Sequence, residues 1–166
     1  FRAAEKTFQI LTQVAGRSGR AEKKGKVLIQ TFHPEHFSLL CTQAHDFEAF
    51  SKRELQLRED LSYPPFSRLA KIRLQGNTQE KVEKAAGILK KFLSSLGVGE
   101  KTWVHILGPA EAPLSKIKGK HRWQILVKAQ NAATLKATLQ KLRRFSSEKI
   151  PSAVQIQIDV DCLDMM

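Results

Sequence analysis

The chain of 166 residues lacks the features of secreted, membrane-spanning and metal-binding proteins. Its only cysteines, Cys41 and Cys162, have no C-x-x-C partner, so we expect neither a disulfide framework nor a metal site. No apolar run approaches the roughly 18 residues that a membrane span requires, and the start does not resemble a signal peptide. The five histidines show no ligand spacing. We therefore predict a cytoplasmic, metal-free chain.

Two motifs of nucleotide hydrolysis are also missing. The chain has no G-x-x-x-x-G-K-[ST] loop to cradle phosphates and no acidic D-E-x-H block to hold magnesium. The residues present therefore cannot bind and hydrolyse ATP by themselves. Because the chain begins at Phe1, inside a helical pattern and without an initiator methionine, we expect a piece of a larger protein.

The net charge of +12 is unevenly distributed along the chain. Residues 1–60 hold ten lysines and arginines against eight carboxylates, whereas residues 61–166 hold eighteen against eight. A basic domain of this kind is typical of nucleic-acid binders, although it would also attract another polyanion such as an acidic protein tail.

Hydrophobic periodicity predicts two parts of different architecture. Residues 4–18 are expected to form a helix, residues 26–32 a strand, and residues 36–60 a helical segment with one break. The Tyr63-Pro64-Pro65-Phe66 segment then ends the helical pattern. We therefore predict an edge of a larger domain, a helical connector and a basic domain, spanning residues 1–35, 36–60 and 61–166.

The basic domain shows strand and helix patterns in the order βαββαβ. Its predicted strands cover 67–75, 102–107, 122–128 and 154–160; one predicted helix follows Asn77 and the other spans about 132–145. This order is that of a ferredoxin-like α+β sandwich, in which both helices cover one face of an antiparallel sheet.

The other sheet face of such a sandwich would be exposed and basic. Lys71 and Arg73 of the first strand would lie beside Gln124 and Lys128 of the third. Three cations and an amide on an open sheet form a possible phosphate platform. A solvated face that only keeps the protein soluble is an equally good interpretation.

The predicted loop from Leu114 to Trp123 is the strongest candidate for nucleic-acid contact. Lys116, Lys118, Lys120 and Arg122 occupy every second position, so a flexible arm could follow a phosphate backbone. The Trp123 indole could stack on a base, but its spacing with Ile125 and Val127 also fits a core residue.

Near the amino terminus, the octet from Gln13 to Arg20 places two arginines around glycines at the end of the first helix. Arg17 and Arg20 are three residues apart, so on a helical turn they would project together and grip phosphate oxygens. A basic helix end capped by Gly16 and Gly19 is the alternative interpretation.

The octet resembles Q-x-x-G-R-x-G-R, the sixth motif of superfamily two helicases. Further blocks, namely Pro64-Pro65-Phe66, Leu107-Gly108-Pro109, Arg122-Trp123-Gln124 and Asp159-Val160-Asp161, extend the resemblance along the whole chain. In this order they look like the carboxy-terminal end of the bacterial primosomal replication-restart helicases, the PriA or primosomal protein N′ family. The resemblance implies the edge of a RecA-like motor lobe followed by a domain similar to a small ribosomal protein.

The resemblance implies a 3′-to-5′ DNA helicase that recognises stalled forks and restarts replication by assembling a primosome. Gln13, Gly16, Arg17 and Arg20 would serve the nucleotide site, with ATP and magnesium as cofactors of the full-length protein. The family's zinc-binding cysteines belong to an upstream segment, so no zinc site is transferred to this chain.

The family's partners are forked or single-stranded DNA, single-stranded DNA-binding protein and other primosome proteins. The acidic tail of single-stranded DNA-binding protein would dock near this domain, with Lys136, Lys141 and Arg144 as candidate contacts. The segment from Gln130 to Ala133 departs from the more basic pattern of the family at that pocket.

Two alternatives from other classes stay open at this point. The chain could be a stand-alone α+β module that binds nucleic acid or protein without motor activity. It could also belong to another superfamily two DNA helicase, which would share the octet but not the Pro-Pro-Phe, Leu-Gly-Pro and Arg-Trp-Gln blocks.

Overall fold

The computed structural model describes residues 1–18, 26–96 and 102–162. The chain forms two compact units, Phe1–Leu61 and Ser62–Met166. Among the described residues, no helix has the length and apolar character needed to cross a membrane. Arg20, one of the predicted nucleotide-site arginines, lies outside the described residues.

The described residues of the first unit form three helices: α1 (Ala3–Arg17), α2 (Phe37–Gln43) and α3 (Phe47–Asp60). The helical predictions are confirmed, including the single break in the second segment. The break occurs because His45 has a positive φ of 53°, which an α-helix does not allow. The Asp46 carboxylate then accepts a hydrogen bond from the Ala49 N–H at 2.8 Å and caps the start of α3.

Aromatic packing holds the three helices together. The Phe8 and Phe50 rings stack at a centroid distance of 4.1 Å, and Phe37 stacks on Phe50 at 5.5 Å. Phe8 and Phe50 are both buried. Stacked rings contribute packing energy beyond the apolar area they bury, so these contacts are the core of the first unit.

The predicted strand over residues 26–32 is wrong. These residues have no β-pairing, and the side chains of Leu28 and Phe32 are 96% and 99% exposed. A strand needs a neighbour to satisfy its backbone hydrogen bonds, and the described part of the first unit supplies no other strand.

An ion-pair network centred on Glu5 and Arg58 links α1 to α3. An Arg58 guanidinium nitrogen lies 2.7 Å from carboxylate oxygens of both Glu5 and Glu54, and Arg2 also pairs with Glu5 at 2.7 Å. The hydrogen bond from Arg2 lowers the pKa of Glu5 to about 2, with Arg58 acting in the same direction and burial opposing it.

This lowered pKa predicts a pH-dependent stability of the first unit. The contribution of Glu5 is present above its ordinary pKa of 4.5 and is lost as the pH falls from 4.5 towards 2. We expect Glu5→Gln to lower the unfolding free energy by about 1–2 kcal/mol at pH 7, a value reduced for partial solvent exposure. The difference from the unchanged chain should shrink in urea unfolding at pH 2.5. The exposed Glu59→Gln is the control, and an equal effect of Glu5→Gln at both pH values would contradict the network.

The second unit has the predicted order βαββαβ. Its elements are β1 (Arg68–Gly76), α4 (Gln79–Ser95), β2 (Val104–Ile117), β3 (Lys120–Ala129), α5 (Ala132–Lys149) and β4 (Gln155–Val160). The strands form one antiparallel sheet in the order β2-β3-β1-β4. The predicted ferredoxin-like α+β fold is confirmed.

Strand β1 lies at the centre of this sheet and determines which side chains enter the core. Ile72 pairs with Ile125 of β3 and with Ile158 of β4, and all three face the helices. Since side chains alternate along a strand, Ala70 and Leu74 share that face. The helices complete the core with fully or almost fully buried side chains of α4 and α5: Val82, Ala86, Leu89, Leu135 and Leu142.

Strand β2 is longer than predicted and contains an irregularity at Gly108. The register shifts between Leu107 and Ala110, and Gly108 has a φ of 93°, a conformation that favours glycine. A Cβ added at Gly108 would lie 3.0 Å from the carbonyl oxygen of Gln124. The Leu107-Gly108-Pro109 block therefore has a structural role at this bulge.

We expect Gly108→Ala to lower the unfolding free energy of the second unit by about 1–3 kcal/mol, because alanine at this φ is strained. Gly87→Ala is the matched control: Gly87 lies inside α4, and an added Cβ would meet nothing within 4 Å. That change should raise stability by about 0.5–1 kcal/mol. Thermal and urea unfolding measure both, and a neutral Gly108→Ala would show that the bulge does not require glycine.

Candidate nucleic-acid interface

Residues Leu114 to Trp123 form the tip of a β-hairpin: the end of β2, a turn and the start of β3. Strands β2 and β3 are joined by the two-residue turn Lys118-Gly119, and Ile117 pairs with Lys120. Both turn residues have positive φ values, 49° and 77°, as a type I′ hairpin turn requires. The prediction of a flexible loop is therefore wrong, because the alternating pattern continues into the turn and Lys-Gly closes it.

The hairpin divides the four cations that the sequence grouped together. Lys120 and Arg122 are two residues apart on β3 and project from the same face of the sheet. Lys116 pairs with His121 and so projects from the opposite face, while Lys118 lies in the turn. Lys116 and Lys118 are exposed, whereas Arg122 is buried.

The sheet face that points away from the helices carries many polar side chains, and we call it the open face. Strands β1, β3 and β4 contribute the following residues to it according to their register: Leu69, Lys71, Arg73, Gln75, Lys120, Arg122, Gln124, Leu126, Lys128, Gln155, Gln157 and Asp159. The predicted neighbours Lys71, Arg73, Gln124 and Lys128 do lie on this one face.

One end of the open face is covered rather than exposed. Lys71 and Lys128 are only 3% and 7% exposed. The Lys128 Nζ lies 4.1 Å from the ring centroid of Tyr63, and burial lowers the pKa of Lys128. Cys162 is also buried; burial raises the pKa of its thiol, and the nearby positive charge of Lys71 opposes that shift. The expectation that both lysines are exposed is therefore wrong, since Tyr63 and the residues after β4 pack at this end.

Carboxylates also compensate the positive charge at this covered end. Asp159 lies opposite Lys71 in the register of β1 and β4. Arg68, at the start of β1, forms an ion pair with Asp161 at 3.2 Å. A polyanion would have to compete with these carboxylates for the cations, so this end is a poor phosphate site.

The opposite end of the open face contains a row of amides between cations. Arg73 donates to the Gln157 amide oxygen at 3.4 Å, and Gln75 donates to the amide oxygen of Gln155 at 2.9 Å. The Lys120 Nζ donates to the same oxygen of Gln155 at 3.2 Å. These glutamines were not among the residues predicted for the site, although their alternation along β4 places them on the open face once β4 lies beside β1.

Arg122 and Arg73 are diagonal neighbours at this amide-rich end. Arg122 pairs with Gln75, and Arg73 pairs with Gln124. Burial lowers the pKa of Arg122, and the positive charge of Arg73 lowers it further. Arg122 also donates a long hydrogen bond of 3.5 Å to the Leu114 carbonyl oxygen. Two arginines with like charge therefore share one partly desolvated corner.

Trp123 lies on the helix side of the sheet rather than on the open face. It is partly buried and packs against the hydrophobic core of the second unit. This placement is the one that the core interpretation of Trp123 requires. A base lying on the open face could not reach the indole.

The three candidate cations of α5 are not brought together. Lys136 lines a groove of about 530 Å³ beside β4, with Arg68 and Arg143 at its margin. Lys141 borders a different cavity, which also contacts Val104 and Ile106 of β2. Arg144 is exposed on the helix surface. A single acidic segment would therefore not contact Lys136 and Lys141 at once without crossing α5.

The described part of the octet lies in the last turns of α1. Gln13, Gly16 and Arg17 are all exposed, and Gln13 and Arg17 are one helical turn apart on the same face. Ser18 follows Arg17 and caps the end of α1, because its backbone N–H and its hydroxyl both donate to the Ala15 carbonyl oxygen. Both polar side chains are therefore available to a group outside the first unit.

Within residues 1–18, 26–96 and 102–162, no group of three or more histidine, cysteine or carboxylate side chains could hold a metal ion. Cys41 and Cys162 are free thiols. These residues thus offer no candidate metal centre.

The second unit is a ferredoxin-like α+β domain whose hairpin and open face concentrate basic side chains, a class of domain suited to binding polyanions. The chain belongs to the family described as the primosomal protein N C-terminal domain, which matches residues 59–163. The family resemblance drawn from the sequence blocks is confirmed.

Curated relatives extend the similarity beyond that domain. The replication restart protein PriA of Bacillus subtilis is 41% identical over 167 residues, which cover 100% of this chain and 20% of that protein. The PriA proteins of Synechocystis and Haemophilus influenzae are each 38% identical over 165 residues, covering 99% of this chain and 19% and 22% of theirs. The chain thus spans about a fifth of the length of these relatives.

The position of Trp123 predicts a structural rather than a base-stacking role. We expect Trp123→Leu, which keeps an apolar side chain but removes the ring, to change DNA affinity by less than about twofold. Loss of a stacked base would instead cost about 1–3 kcal/mol, or roughly 5- to 150-fold. Fluorescence anisotropy with a labelled single strand measures the difference. A large loss of affinity in a variant that still unfolds cooperatively would assign Trp123 to the DNA.

Proposed function

We propose that this chain is the DNA-holding carboxy-terminal part of a replication restart helicase. Its relatives carry the name replication restart protein PriA and match nearly its whole length, which supports a role in primosome-dependent restart of replication. In the full protein, a 3′-to-5′ helicase driven by ATP would act at stalled forks in the bacterial cytoplasm.

The observation that carries this proposal is the placement of the positive charge in the second unit. Residues 61–166 hold ten more lysines and arginines than carboxylates. The hairpin cations Lys116 and Lys118 are exposed and form no ion pair among the described residues. Exposed cations without internal partners can release the counterions of a DNA backbone, which is the main source of sequence-independent affinity.

The first unit would contribute to the nucleotide site of the motor. Gln13, Gly16, Arg17 and Arg20 match the sixth helicase motif, in which arginines stabilise the γ-phosphate. The exposed face formed by Gln13 and Arg17 fits donors that act on a phosphate held elsewhere in the protein. ATP with magnesium would be bound by parts of the protein outside this chain, so the chain alone would not hydrolyse it.

Protein partners would use the cations of α5. We expect the acidic tail of single-stranded DNA-binding protein to contact Lys136 and its neighbours in the groove beside β4, with Lys141 and Arg144 on other surfaces of the helix. Other primosome proteins would bind to the full-length helicase at the fork.

The proposal predicts salt-dependent binding of the chain to a fluorescent forked DNA. Lys116→Glu/Lys118→Glu removes two exposed hairpin cations and should weaken binding at least about tenfold, with a shallower dependence of log affinity on log salt. Lys90→Glu/Lys91→Glu, which makes the same change in charge on the exposed surface of α4, is the control. Anisotropy titrations at several salt concentrations measure all three proteins.

Absent or salt-insensitive binding by the unchanged chain would contradict the DNA-holding role. An equal loss in the hairpin and α4 variants would show that net charge matters and that the hairpin does not. In either case, the basic surface would be reassigned to an acidic protein partner.

A further inference from the structure

The two ends of the open face differ in how their positive charge is compensated. At the covered end, Asp159 lies opposite Lys71 and Asp161 pairs with Arg68. At the hairpin end, Arg73, Lys120 and Arg122 form no ion pair with any described carboxylate, and their hydrogen bonds go to neutral oxygens. The hairpin end therefore carries positive charge that no described carboxylate balances.

Arg73 and Arg122 are diagonal neighbours on the open face and carry like charge. Burial lowers the pKa of Arg122, and the positive charge of Arg73 acts in the same direction. An anion bound by these arginines would offset the repulsion between them and gain hydrogen bonds from planar donors.

A neutral donor is available at the same position. Gln124 pairs directly with Arg73 across β1 and β3 and follows Arg122 by two positions on the same face of β3. Its amide makes no side-chain hydrogen bond within the described residues, and the residue is partly buried. The Gln124 amide N–H can donate a hydrogen bond to an anionic oxygen, so binding of an anion would satisfy this donor.

The chemistry of the open face favours a phosphodiester over a base as the ligand. From Arg73 to Lys120, the positions that β1, β3 and β4 contribute to the open face are arginine, lysine and glutamine, without an aromatic ring. Tyr63, whose ring contacts Lys128, lies at the covered end, and Trp123 lies on the helix side. Sequence-tolerant base stacking requires aromatic surfaces, and this part of the face offers none.

We propose that Arg73, Arg122 and Gln124 form a phosphate seat, flanked by Lys120, that holds the sugar–phosphate backbone of a DNA strand on the open face. This inference rests on the proposed DNA-holding function and assigns the contact to one end of one sheet face. Lys71 and Lys128, at the covered end, do not belong to the seat.

The test compares Arg73→Gln/Arg122→Gln with Lys90→Gln/Lys91→Gln, which removes the same charge from α4. For a labelled single strand, we expect the seat variant to bind at least about tenfold more weakly, with the log–log salt slope reduced by about 1.4. The α4 control should change affinity by less than about threefold. Arg73→Gln alone, at the less buried position, should reduce the slope by about 0.7, so the test does not depend on truncating Arg122.

A second measurement separates the backbone from the bases. An abasic strand of equal length should bind the unchanged chain within about threefold of the normal strand, and the seat variant should lose affinity for both. Thermal unfolding of each variant shows that the fold is retained.

The outcomes distinguish the seat from the broader function. If the unchanged chain binds no DNA, the proposed function fails and the seat fails with it. If the unchanged chain binds DNA with a steep salt dependence and the seat variant equals the α4 control, the DNA-holding role survives and the seat is overturned. If the unchanged chain binds the normal strand but not the abasic strand, the proposal that the seat recognises the DNA backbone is overturned.

Discussion

The pairing of β1 with β3 and β4 is the constraint on which the second unit depends. Because side chains alternate along a strand, one register places Ile72, Ile125 and Ile158 under the helices and places Arg73, Gln124 and Gln157 together on the opposite face. A slip by one residue would exchange the two sets and bury the cations. The apolar core therefore fixes the arrangement of the charged face, and the strength of the core maintains the geometry of the candidate site.

The length of the β2–β3 hairpin follows from three residues with positive φ. Gly108 permits the register shift that lets β2 continue past Leu107, and Lys118-Gly119 turns the chain within two residues. The tip thus carries exposed lysines on an ordered ribbon, and an ordered ribbon loses less conformational entropy on binding than a flexible arm would. The same strand pairing that forms the ribbon separates Lys116 from Lys120 and Arg122, so the hairpin presents its charge on two faces.

The order of elements in the second unit could be predicted because its helical and alternating patterns are long and regular. The strand over residues 26–32 could not be judged correctly, since an apolar alternating segment becomes a strand only when a neighbour pairs with it. The burial of Lys71 and Lys128 was also out of reach, because it depends on tertiary packing of Tyr63 and of the residues after β4. The register, by contrast, was nearly deducible: once β1 lies between β3 and β4, the alternation of Gln155 and Gln157 places both beside Arg73 and Gln75.

The central claim is that uncompensated arginines on the open face contact a DNA backbone. Its most direct measurement is NMR of the arginine side-chain Nε–Hε groups during titration of the chain with an abasic DNA strand. Arg73 and Arg122 should shift in parallel and saturate together, while Arg143 and Arg144 on α5 should move little. Shifts confined to the α5 arginines, with Arg73 and Arg122 unmoved at saturating DNA, would contradict the account.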